Sequence, residues 1–76
     1  MKTVQISLNS IDKVKSFVND LTKFDYDFDL VSGRYVIDAK SIMGIFSLDL
    51  SKPIELHAHT DNAKEFLNAI DKFIVK

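Results

Sequence analysis

The apolar residues of this chain switch spacing again and again, and that rhythm leaves few folds open. In TVQISL, Val4, Ile6 and Leu8 alternate with Thr3, Gln5 and Ser7, the pattern of a strand with one buried face. In NSIDKVKSFVNDLTKF the spacing becomes three and four, and Ile11, Val14, Phe17, Val18 and Leu21 form one helical stripe. Ser10 is placed to cap this helix, and Asp12 to favour the positive end of its dipole. DYDFDLVSG alternates again, with Tyr26, Phe28 and Leu30 on one side and Asp25, Asp27 and Asp29 on the other. Ser32-Gly33 reads as a turn and RYVID as the return strand of a hairpin. PIELHAH is a fourth strand that sets Ile54, Leu56 and Ala58 against Glu55, His57 and His59. TDNAKEFLNAIDKFIVK carries Ala63, Phe66, Leu67, Ile70, Phe73 and Ile74 at helical spacing, with Thr60 or Asp61 as its cap. Between RYVID and Pro53 lies DAKSIMGIFSL, with room for about two helical turns.

The predicted order is β-α-β-β-α-β-α, an α+β fold. Strands with one apolar face and helices with one apolar stripe bury both most economically as a four-stranded antiparallel sheet with three helices on one face. The 76 residues fit a single domain, 1–76. With no cysteine, neither disulfides nor thiolate-bound metal can staple it. Packing must hold it together, and 46% hydrophobic residues with six Phe supply one core.

Charge excludes one class of function. The net charge is −1 and the lysines are scattered among acids, so no basic surface is expected for nucleic acid. No apolar run is long enough to span a membrane, and MKTVQISL has neither the apolar core nor the cleavage site of a signal peptide. A cytoplasmic protein is expected.

Catalytic groups are sparse, and no cofactor motif is present. Asp25, Asp27 and Asp29 imitate the start of a calcium loop, but Leu30 and Val36 stand where that loop needs Gly and Glu. Glu55, His57 and His59 share one strand face and form a weak metal candidate; an exposed polar face is the plainer reading. Ser10 and Ser41 both read as helix N-caps. Ser41 has a second aspect, because the N-terminus of a helix tolerates a phosphate and Lys40 is its neighbour. A helix of two turns cannot turn Ile42, Met43, Ile45, Phe46 and Leu48 all inward. At least one large apolar side chain is expected on the surface, where Met suits adaptable contacts.

DAKSIMGIFSL resembles the regulatory-serine segment of the HPr family, the histidine-containing phosphocarriers of the bacterial phosphotransferase system. The run Lys40 to Gly44, KSIMG, carries the resemblance most specifically. The element order, the length and the KFD after the first helix extend it over almost the whole chain. It implies an open-faced β-sandwich. It also implies that LNSIDKV, Leu8 to Val14, replaces the segment that bears the family's phosphorylated histidine. Ser10 then takes the histidine's place, Asp12 that of a phosphate-holding arginine, and Lys13 that of a proline. A serine ester lacks the labile P–N bond that passes phosphate on, and Asp12 would repel the group.

Loss of the histidine beside a retained serine segment is similar to the catabolite-repression paralogue Crh. By that resemblance Ser41 is a regulatory phosphosite, and Lys40, Ile42, Met43 and Phe46 bind partners. Those partners would be HPr kinase/phosphorylase or a LacI-type catabolite regulator. The expected protein is a non-catalytic regulatory module, a monomer or weak homodimer. The alternatives are a phosphocarrier using an unusual residue, and a diverged scaffold that associates through Met43 and Phe46.

Overall fold

A computed structural model describes residues 2–75. Its sheet is built from β1 (Lys2–Ile6), β2 (Phe28–Ser32), β3 (Tyr35–Asp38) and β4 (Ile54–Ala58), in the spatial order β1-β4-β2-β3. All three pairings are antiparallel. Helices α1 (Ile11–Leu21), α2 (Ile42–Phe46) and α3 (Lys64–Ala69) pack on one face. This is the α+β open-faced sandwich that the periodicity predicts.

Register explains why one face is apolar. Val4 pairs with Leu56, Leu56 with Leu30, and Leu30 with Ile37, so one row of branched side chains crosses the sheet. The helices lay Val14, Phe17, Leu21, Ile45 and Phe66 on that face, all fully buried. Phe17 meets Phe73 edge-on at 5.6 Å, and Phe28 meets Phe66 at 5.3 Å, the geometry that ring quadrupoles favour. The hairpin turn is centred on Gly33-Arg34, since Ser32 pairs with Tyr35. Gly33 has φ +60° while Arg34 does not have positive φ, as a type II′ turn requires. The turn thus lies one residue beyond the Ser32-Gly33 expected.

Three expectations need correction. β1 ends at Ile6 rather than Leu8, because the chain leaves β4 there and takes a new neighbour. Ile6 bridges Ile74, Ser7 N–H donates to the Phe73 carbonyl at 2.8 Å, and Val75 N–H to Gln5 at 2.9 Å. The same pairing breaks the expected last helix. α3 stops at Ala69, Asp71–Phe73 make a single 3₁₀ turn, and Ile74 is extended. The gain from an edge bridge outweighs helical continuation for the β-branched residues near this end. Neither Thr60 nor Asp61 caps α3. Its N-cap is Ala63, and the Thr60 hydroxyl instead accepts from Asn62 N–H at 3.1 Å. α1 ends at Leu21, the last residue of its apolar stripe and before KFD as expected, where the Thr22 hydroxyl donates to the Asn19 carbonyl at 2.7 Å.

Candidate functional site

α2 begins where Ser41 stops being helical. Its backbone is extended (φ −94°, ψ 99°) and its hydroxyl accepts from Gly44 N–H at 3.3 Å. The exposed serine therefore satisfies one orphan donor of the helix, the ordinary role of an N-cap. Gly44 leaves room for this approach: a Cβ there would lie 3.1 Å from the Ser41 hydroxyl and 3.4 Å from Ile37, tight enough that a neighbour must shift by a few tenths of an ångström. At the far end the Ser47 hydroxyl donates to the Gly44 carbonyl at 2.6 Å.

The five-residue helix divides the apolar side chains as the sequence requires. Ile45 is fully buried and Ile42 partly so, while Met43 is 77% exposed and Phe46 39% exposed. The Phe46 ring does not stand alone. With Ile11, Leu50, Asn9, Ser10 and Ser51 it lines a shallow depression of about 540 Å³. Ile11 is 62% exposed, although its spacing assigned it to the buried stripe of α1. Helical Cα–Cβ bonds tilt toward the N-terminus, so a first-turn side chain points off the end of the helix. Ile11 and Leu50 are the members of this surface that periodicity missed. First-turn position was the signal for Ile11.

Ser10 caps α1 by accepting from Lys13 N–H at 3.2 Å, and Asp12 lies exposed in the first turn. The N-terminus of α1 and Phe46 of α2 thus share one surface. Lys40 does not join it. Its ammonium donates to the carbonyls of Phe24 at 2.8 Å and Tyr26 at 3.2 Å, and lies 5.6 Å from the centre of the Phe28 ring. These carbonyls belong to the loop after α1, so the half-buried lysine ties that loop to the start of α2.

The histidines lie elsewhere. His57 is opposite Thr3 on β1, whereas the chain leaves β1 toward Ser10 from Ile6, opposite Ile54. The imidazoles and the α1 N-terminus therefore lie toward opposite ends of the sheet. Glu55, His57 and His59 do not converge. His57 contacts Glu55 at 3.4 Å, while His59, beyond the end of β4, turns to Asp29 at 2.7 Å. Among the described residues no group of three or more His, Cys, Asp or Glu is placed to hold a metal ion. Asp25, Asp27 and Asp29 fare no better as a calcium loop. No helix among the described residues is long and apolar enough to cross a membrane.

The fold has solved counterparts. HPr-C-His from Thermoanaerobacter tengcongensis superposes with a TM-score of 0.78 at 29% identity, over 95% of this chain and 89% of that one. The phosphocarrier protein HPr from Bacillus anthracis gives 0.72 at 28% identity, over 97% and 94%. Crh from Bacillus subtilis, a catabolite-repression protein seen as a swapped dimer, shares the fold at 0.65 and 23% identity, over 96% and 90%. No curated protein matches the chain in sequence. Residues 13–76 match the family described as PTS HPr component phosphorylation site, beginning just after Ser10 and Asp12. With most of its length inside that match, the chain belongs to the HPr family of phosphotransferase-system phosphocarriers.

Proposed function

We propose that this chain is a non-catalytic regulatory and binding member of the HPr family. Phosphate on Ser41 switches its affinity for a protein partner, which docks on Ile42, Met43 and Phe46. The observation that carries this reading is Met43, 77% exposed in a five-residue helix whose neighbour Ile45 is fully buried. An exposed flexible apolar side chain next to a second, Phe46, suits an adaptable contact surface. Ile11 and Leu50 extend it across the depression beside Phe46.

Ser41 supports the switch because it is exposed and its hydroxyl accepts from Gly44 N–H of its own helix. A phosphate there adds about −1.5 to −2 charges beside free helical N–H groups and directly against the apolar patch. Lys40 takes no part in docking, since its ammonium is committed to the Phe24 and Tyr26 carbonyls. The partners expected from the family are HPr kinase/phosphorylase and a LacI-type regulator. Incubation with that kinase and ATP adds one phosphate by intact mass, and Ser41→Ala abolishes it. Absence of phosphate, or phosphate that survives the substitution, overturns the switch.

Carrier chemistry is disfavoured. The chain's two histidines, His57 and His59, lie far along the sequence from the N-terminus of α1, where Ser10 stands in place of the family's histidine. Phosphoenolpyruvate and enzyme I should leave no acid-labile phosphate on this protein. Labelling would restore the phosphocarrier reading.

A further inference from the structure

β3 is a free edge. It pairs with β2 on one side and lies at the end of the strand order on the other. Tyr35 and Val36 are each 64% exposed. Which backbone groups face outward follows from alternation. Ala39 N–H donates to the Phe28 carbonyl at 2.9 Å and continues the β2–β3 register. Odd-numbered residues of β3 therefore turn their amide groups to β2, and even-numbered ones turn theirs to the free edge. The Asp38 carbonyl is already taken by Ser41 N–H at 3.0 Å. The edge offers both groups of Val36, flanked by the Arg34 carbonyl and the Asp38 N–H.

Val36 and Asp38 share the open face of the sheet, and Arg34, in the turn, precedes Val36 by the same two-residue step. Val36 is opposite Val31, and Asp38 is opposite Asp29. Like charges directly opposite are unfavourable. Asp29 is answered by His59 at 2.7 Å, but among the described residues Asp38 has no cation and Arg34 has no anion. The net charge of −1 sets up little long-range repulsion between copies.

We propose that β3 pairs antiparallel with β3 of a second copy, about a two-fold axis at Val36. This register sets Val36 against Val36 and Arg34 against Asp38 of the other copy, twice by symmetry. Sliding the strands by one residue sets outward-facing groups against inward-facing ones. Sliding them by two sets the charges against valine. Only the register centred on Val36 satisfies backbone and charge together. It joins two sheets into one and gives Asp38 the cation it lacks.

A contact this small belongs to the weak class of interfaces. Sedimentation equilibrium from about 10 μM to about 1 mM, the range where weak association is measured, should show the weight-average mass rising from 8.7 kDa toward twice that value. Val36→Lys places like charges on the axis and should leave only monomer. Arg34→Asp and Asp38→Arg should each weaken self-association at least tenfold. Mixed together they should form a heterodimer, because each then supplies the charge that the other's edge needs. Circular dichroism verifies that every variant is folded. A chain that is monomeric throughout overturns the proposal. So does a dimer indifferent to Val36→Lys, or a mixture of the two charge variants that fails to associate.

Discussion

Replacing Lys40 by Met keeps the aliphatic stem and removes the ammonium that holds the loop after α1. Two hydrogen bonds disappear, at 2.8 Å to the Phe24 carbonyl and 3.2 Å to the Tyr26 carbonyl, as does the cation placed 5.6 Å from the Phe28 ring. Hydrogen bonds to a charged group contribute about 1.5–3 kcal/mol each when fully formed. A cation over an aromatic face adds about 0.5–1 kcal/mol. The site is half-buried, so water reaches part of what is lost and re-solvates the carbonyls. The net loss expected is about 2 kcal/mol, which in a domain of this size lowers Tm by about 8–16 °C. Urea unfolding followed by circular dichroism measures it as a lower midpoint at unchanged slope. Lys40→Arg should not recover the whole loss, because a planar fork does not reproduce the two contacts of a compact ammonium. The role is refuted if Lys40→Met unfolds within about 0.5 kcal/mol of the parent, the range of an ordinary surface substitution. A lysine that served a partner instead would leave stability alone and weaken only binding.

Other substitutions probe the neighbouring parts. Gly44→Ala sets a Cβ 3.1 Å from the Ser41 hydroxyl and should dislodge the cap. The lost cap costs about 1 kcal/mol and the better helix former returns nearly as much, so stability should hold while the kinase rate at Ser41 falls. An unchanged rate would show that the hydroxyl tolerates the crowding. Phe17→Ala empties a fully buried site against Phe73 and should cost about 3–5 kcal/mol, enough to leave the domain largely unfolded near 37 °C. A thermal melt close to that of the parent would contradict this packing. Asp49 accepts from the Ser51 hydroxyl at 2.6 Å and from its N–H at 3.1 Å. These bonds, the hydroxyl's first, hold its carboxyl below the ordinary aspartate range. With the folded value depressed, the turn's contribution is present above the ordinary aspartate range and is lost as pH falls through the lower folded value. Ser51→Ala should move the Asp49 titration upward by NMR, and a curve that stays put would remove Ser51 as the cause.

The sequence by itself determined the element types, the faces they bury and the surplus of apolar residues after Ser41. Each of these follows from spacing within a few residues. Period two gave the strands, period 3.6 the helices, and two turns of helix were too few to hide both Met43 and Phe46. Tertiary structure alone decided whatever depends on contacts between distant segments. Lys40 looked like a neighbour of Ser41 until the fold brought the Phe24 and Tyr26 carbonyls to it from 16 and 14 residues away. The last helix looked continuous until Ile74 found Ile6 across the fold. Glu55, His57 and His59 looked like one ligand set until His59 took Asp29, opposite His57 on the adjacent strand, as its partner. In each case a hydrogen bond or bridge made across space outweighed a local preference worth a fraction of a kcal/mol per residue. No pattern along the chain records which segments will meet.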